Sequence, residues 1–282
     1  MMKKFTILIL FLVLTALFIL PTTNYKLQTA YAQTCSVQNS YPRVKDGLIS
    51  TPDISGSDNF RSNIGKCVFD PGKTAFAPYK IPSYADLKSL YYTQAKTTTT
   101  VTKHTPLVGN KTQVDIPMNG STDHLWYISK SSPPTSSDGN LTITNNIPGN
   151  QTGVVFVDGN LTINPTSKKL TIANSSGLVF VVQGNVNIGK DVTQIDAVII
   201  SSGKIHTAGS SCSTNAEEVD NALTINGSLI SLDAGEPIQF CRKLKGSGND
   251  TNPAEIINFD PKYLVILRNL FADTLQKWSE IQ

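Results

Sequence analysis

One template recurs along the second half of this chain: apolar residues at every second position, interrupted at the centre by a glycine. One copy is Val155, Val157, Gly159, Leu161 and Ile163. The next is Phe180, Val182, Gly184, Val186 and Ile188. A third is Ile199, Ser201, Gly203, Ile205 and Thr207, and a fourth is Leu223, Ile225, Gly227, Leu229 and Ser231. A partial first copy is Gly139, Leu141 and Ile143, and the five glycines lie 20, 25, 19 and 24 residues apart.

Alternation with a period of two is the signature of a strand with one buried face. The glycine holds the inward parity each time, where the missing side chain lets two short strands meet at a corner. Self-similarity every 20 to 25 residues marks stacked coils, each contacting its neighbours. The expected fold is therefore mainly β: a short right-handed parallel β-helix, or solenoid, over 121–258. Pairs such as Asp158-Gly159 and Ser202-Gly203 could instead be hairpin turns, which would give an antiparallel sandwich. A constant inward parity across five copies argues against that reading. The outward positions Asn160, Thr162, Asn185, Asn187, Lys204 and His206 form a polar face with few charges.

Residues 33–120 are rich in Ser, Thr and Pro and read as an irregular N-terminal region with one short helix near 82–92. Ser83 caps that helix with Asp86 three residues on, and Tyr84, Leu87 and Tyr91 share a face. The β-branched run Thr97–Thr102 reads as an exposed strand or linker. At the other end, 259–282 reads as a helical cap over the open end of the apolar core. Asp260 is its N-cap and Pro261 its first residue, with Tyr263, Leu264, Leu267, Leu270, Phe271 and Trp278 to pack.

The first 32 residues read as a signal peptide. Lys3 and Lys4 precede an apolar run from Phe5 to Leu20, and Ala30-Tyr31-Ala32 supplies small residues for cleavage. The run is shorter than the roughly 20 residues a membrane span needs. The stretch between Pro21 and Tyr31 is long for a cleavage region, so an uncleaved anchor is the competing reading. Cleavage removes Lys3, Lys4 and Lys26 and takes Lys+Arg from 24 to 21, equal to the 21 acids. The working protein is then formally neutral, without a basic stripe for nucleic acid or anionic lipid. The expected location is secreted or at the cell surface, touching a membrane only through the N-terminal segment if that stays attached.

Cys35, Cys67, Cys212 and Cys241 form an even set, which in an exported chain points to disulfides. Pairing within each region, Cys35–Cys67 and Cys212–Cys241, is favoured among the three connectivities. No C-x-x-C spacing or neighbouring histidine suggests a metal.

Polysaccharide-cleaving solenoids need clustered acids: paired carboxylates for hydrolysis, or an acidic calcium cluster with a base for elimination. The acids here are Asp138, Asp158, Asp191, Asp196, Glu217, Glu218, Asp220, Asp233 and Glu236, and none forms a pair on a strand. Asp138 and Asp158 precede template glycines, as bend residues do. Glu217, Glu218 and Asp220 fall in what reads as a loop. His104, His124 and His206 are scattered. No catalytic residue, metal ligand or cofactor site is expected. Eight sequons occur, Asn110, Asn140 and Asn160 among them, and several of these asparagines lie beside a template glycine, where turn chemistry explains them.

The run Val154-Val155-Phe156-Val157-Asp158-Gly159-Asn160-Leu161-Thr162-Ile163, then Val179-Phe180-Val181-Val182-Gln183-Gly184-Asn185-Val186, then Asn252-Pro253-Ala254-Glu255-Ile256-Ile257 and Phe259-Asp260-Pro261, resembles a family of exported solenoid proteins of candidate-phylum bacteria. More distantly it is similar to bactofilin-type and pilus-accessory solenoids. The resemblance covers roughly residues 120–282. It implies a structural role at the cell surface or envelope and supplies no catalytic residues. The expected function is structural or adhesive, with surface glycans or other envelope or pilus proteins as partners, and a carbohydrate-active or glycan-binding solenoid is the alternative. Lys4 before Phe5, and Ile9 five residues in, depart from a prepilin start.

Overall fold

The computed structural model describes the backbone of Pro42–Lys45 and residues 82–134, 138–173, 175–209, 216–232, 238–246, 252–263 and 265. The signal segment therefore lies outside the described residues, as do Cys35, Cys67 and Cys212 and all but the first turn of the expected C-terminal cap.

The fold is a parallel β-solenoid with three long walls. Sheet A stacks β1 (Pro42–Lys45), β20 (Glu255–Asn258), β16 (Leu223–Asn226), β12 (Gln194–Ile195) and β9 (Lys169–Leu170). Sheet B stacks β2 (Val101–Lys103), β5 (Asp123–Ser129), β7 (Gly153–Val157), β10 (Leu178–Val182), β13 (Val198–Ser201) and β17 (Ser228–Ser231), with β3 (Leu107–Val108) also on β5. Sheet C stacks β4 (Lys111–Thr112), β6 (Leu141–Ile143), β8 (Leu161–Ile163), β11 (Val186–Ile188), β14 (Ile205–His206) and β18 (Ile238–Gln239). A side ladder joins β15 (Glu217–Val219) to β19 (Arg242–Leu244). Each full coil visits sheets B, C and A in turn, and the last two insert a side-ladder strand between C and A.

Register follows the template. Val155, Phe180 and Ile199 stack in sheet B, and Leu141, Leu161, Val186 and Ile205 stack in sheet C. These inward residues form one apolar core, mostly with no solvent contact. Hydrophobic burial on this scale, about 25 cal/mol per Å², is the main force holding the coils together.

The template glycines serve a purpose beyond bending. A Cβ on Gly159, Gly184 or Gly203 would lie 2.5 Å from the side-chain oxygen of Asn140, Asn160 or Asn185 on the previous coil. Those oxygens are committed elsewhere. Asn110, Asn140, Asn160 and Asn185 each accept a backbone N–H from the coil above, at 3.0, 2.7, 2.8 and 2.9 Å. Glycine is thus required by an asparagine ladder climbing the B–C corner. Gly139 additionally takes a left-handed φ of 72°.

Three expectations need correction. Gly227 is not on this column. It lies between β16 and β17, at the A–B corner, where its Cβ would meet the Ala197 carbonyl oxygen at 2.0 Å. The alternating pattern cannot distinguish two corners that both demand glycine. Second, the stack begins before residue 121, because β2, β3 and β4 already pair onto β5 and β6. Gly109-Asn110 is the missed first copy, hidden by the long excursion before Gly139. Third, His206 is buried at 6% exposure, so it is not part of a solvated face.

Sheet B is apolar on both sides. β7 and β10 read Gly-Val-Val-Phe-Val and Leu-Val-Phe-Val-Val, continuous runs of the kind that suit a doubly covered parallel strand. Tyr84 and Tyr92 of the N-terminal helical segment cover the outer residues Leu125, Val154, Phe156, Val179 and Val181, joined by Tyr263. Helix α1 (Tyr84–Lys88) has the expected capping box between Ser83 and Asp86, then continues as a wider turn over Ser89–Thr93. Beyond β20, the Asp260 side chain accepts the Lys262 N–H at 3.0 Å, as an N-cap does.

Gly184→Ala is expected to cost roughly 2 kcal/mol or more, because backbone and the Asn160 amide both block the methyl. Gln183→Ala, its exposed neighbour, should stay within about 0.5 kcal/mol. Reversible denaturant unfolding of both variants measures the difference.

Candidate binding surface

Among the described residues, two outer walls present polar side chains. Sheet C carries the outward column Thr112, Thr142, Thr162, Asn187 and Gln239, interrupted by the buried His206, which stands in register between the last two. Such columns repeat at the strand spacing of about 4.8 Å. Sheet A carries Lys169, Gln194 and Thr224 in register. They floor a groove of about 550 Å³ that Thr193, Asn221 and Asn226 also line. Hydroxyls and amides dominate it, with one ammonium and no aromatic side chain.

The acids are dispersed into separate structural tasks. Asp138 accepts the Ser131 N–H at 2.6 Å and the Ser131 hydroxyl, and these bonds hold its carboxyl below the usual range. Asp196 accepts Gln194 at 2.9 Å and Asn226 at 2.7 Å. Glu217 and Glu218 lie on strand β15 rather than in the expected loop. Glu218 faces Lys243 at 3.6 Å, and Asp220, just past the strand, meets Lys245 at 2.8 Å. Both pairs are exposed and screened by solvent, so they add little to stability. Asp233 and Glu236 lie outside the described residues. Among the described residues no three His, Cys, Asp or Glu side chains gather as a metal site.

Asp158 is the clasp of α1. Its carboxylate accepts Tyr84 Oη at 2.9 Å, Lys88 Nζ at 3.0 Å and Tyr127 Oη at 2.5 Å. Lys88 also lies 4.7 Å from the centre of the Tyr127 ring. Burial, then the Asp158 charge, raises the Tyr84 hydroxyl far above its ordinary range. Asp138 and Asp158 occupy equivalent places beside Gly, yet only Asp158 has a helix to hold. Trp126 faces the core and Tyr127 the clasp, so neither is an exposed sugar platform.

A second buried cluster sits near the C–A corner. The Arg242 guanidinium, wholly buried, donates to the carbonyls of Thr207, Val192 and Gly189 at 2.6, 2.7 and 2.7 Å. Glu255 accepts the Thr207 hydroxyl at 2.7 Å and the Arg242 N–H at 3.0 Å through one oxygen. Its other oxygen is buried without a partner. Burial pushes the Glu255 carboxyl up to about 7, with Thr207 and Arg242 pulling the other way. Sequence reasoning missed both residues, since nothing around Arg242 or Glu255 marks them as buried.

His104 and His124, scattered in the sequence reading, are neighbours: His104 Nε2 lies 2.8 Å from His124 Nδ1. Their separation of 20 residues, one coil, was the available signal.

No family model, curated protein or solved structure matches this chain significantly.

Two predictions rest on these clusters. Asp158→Asn should speed amide exchange over 84–93 tenfold or more, a loss of about 1.4 kcal/mol, and leave 178–188 unchanged. Glu255 carries its proton to higher pH when folded than its free value of 4.5. Its contribution is therefore complete below pH 4.5 and lost as pH rises through about 7. Relative to Glu255→Gln, the natural chain should lose on the order of 2 kcal/mol between pH 4.5 and 8, read from unfolding curves at each pH.

Proposed function

We propose that this chain is an exported structural and adhesive protein of the cell surface or envelope, acting by contact and carrying out no chemistry of its own. The observation that carries this reading is the sheet C column, a regular row of mainly uncharged polar side chains on a parallel stack. A surface that repeats a polar hydrogen-bonding group on successive coils, broken only at His206, suits a repetitive partner, such as an envelope polymer or an ordered protein array. The dispersal of the described acids along the stack, with Asp138, Asp158 and Asp196 committed to structural hydrogen bonds, fits the same reading. A disulfide between Cys212 and Cys241 belongs to the proposal, because it would tie the side-ladder excursion to itself.

The groove on sheet A favours one alternative, a glycan-binding solenoid. Its hydroxyl and amide lining suits sugar hydroxyls. The absence of a lining aromatic removes the stacking that strong sugar sites use.

Fractionation of the native cell with N-terminal sequencing tests the main reading. The expected result is a chain beginning at Gln33, or one still anchored, in the envelope fraction. A chain found wholly free in the medium and never on cells would overturn it. Thr162→Lys with Asn187→Lys should reduce envelope association at least tenfold with little change in unfolding midpoint. Thr224→Lys with Gln194→Lys having that effect instead would favour the glycan groove.

A further inference from the structure

A solenoid must close the open ends of its apolar interior. At the N-terminal end of this one the closure is built from two imidazoles and an indole. Trp126 and His124 share the inward parity of β5, and both are buried, at 6% and 5% exposure. His104 follows β2 and lies flat on Trp126, with ring centres 3.4 Å apart and planes within 2°. His104 Nε2 and His124 Nδ1 meet at 2.8 Å. Beneath them the core begins: Trp126 stacks on Val155, and His124 on Gly153.

We propose that this plug is a pH-sensitive closure, and that full protonation of the His104–His124 pair releases the first coil from the solenoid.

The contact at 2.8 Å needs one nitrogen to donate and the other to accept. The pair can take one further proton and keep its hydrogen bond. An imidazolium at His104 also gains from the face of Trp126, a cation–π contact. A second proton leaves two N–H groups and two positive charges facing each other, so the rings must part. Burial comes first, then mutual repulsion, in holding the His104 ring below its ordinary value of 6.5. Burial also lowers His124, opposed first by a backbone hydrogen bond to Asn119 and then by the adjacent Asp123. His124 Nε2 is buried and makes no hydrogen bond of normal geometry, so a proton placed there is poorly solvated.

The surrounding charges do not offset this. Asp123 is the acid beside His124, but its carboxylate is occupied by the Thr152 N–H at 3.2 Å and its own pKa is raised by burial. Lys103 turns away to the carbonyls of Thr93 and Ala95, both at 3.0 Å. Tyr92 donates to the His104 carbonyl at 2.6 Å and leaves the ring untouched. Because the folded pair resists protonation, its contribution is complete above pH 6.5 and falls as pH drops below it.

Residue-resolved hydrogen exchange on the full chain, corrected for intrinsic rates, tests this between pH 7.5 and 5. The expected result is at least a tenfold rise in opening over 101–104 and 123–128, with 178–188 unchanged. His104→Phe keeps a flat ring on Trp126 and should abolish that rise. An equal rise in this variant, or no rise in the natural chain, overturns the proposal. If His104→Phe fails to fold, histidine-ring NMR of the natural chain decides. The second proton should bind only below pH 6.5, in step with the loss of protection over 101–104. Two rings fully protonated at pH 5 with that protection intact overturns it.

Discussion

The asparagine ladder at the B–C corner is the interaction on which the stack depends. A corner breaks the strand ladder, leaving backbone N–H groups that the wall sheets cannot satisfy. Asn110, Asn140, Asn160 and Asn185 each reach up one coil and accept such a group. A net hydrogen bond contributes about 1 kcal/mol, and a domain's whole stability is only about 5–15 kcal/mol. Four bonds of this kind therefore weigh heavily. They also set register. A coil displaced along the strands by two residues would keep its apolar parity yet lose its asparagine and drive the next glycine out of place. Burial gives the coils a reason to stack, and the ladder makes one stacking better than its neighbours.

The ladder also explains which parts of the fold were readable from the residues. Alternation and the glycine period were enough for parallel coils, because both follow from backbone geometry that every coil shares. The ladder itself is written as a Gly-Asn dipeptide, and it looked like turn chemistry because a turn uses the same two residues. Gly227 misled for the opposite reason, as two corners demand glycine for different steric causes. The outer cover of sheet B was visible in the unbroken apolar runs of β7 and β10, but its partner was not. Tyr84 and Tyr92 meet Val154 and Phe156 only in three dimensions. The buried Arg242 and Glu255 were invisible, since their burial depends on a side-ladder excursion with no repeat to announce it.

The two buried titrating groups pull in opposite directions. Acid loosens the imidazole closure at the first coil, and base loosens Glu255 beneath the last. Neither belongs to a solvated face, and neither is needed for the repeat to form. They mark the two regions where the regular pattern ends and the chain must improvise a closure from polar side chains. A regular interior can be wholly apolar, whereas its boundaries must meet irregular backbone whose carbonyls need donors. Arg242 supplies three to such carbonyls at once.

The pairing of β1 with β20 has a consequence for how this protein is made. Pro42 lies opposite Glu255, so the earliest described strand waits for the latest. A solenoid can otherwise fold progressively, each coil adding to the one before as the chain emerges. Here sheet A is finished only when the C-terminal region has emerged, and joining segments so distant in sequence carries a loop-closure cost and slows folding. The middle coils should mature first and the flush closure of sheet A last. A chain truncated before Glu255 would keep its coils but leave its own beginning without a place to dock.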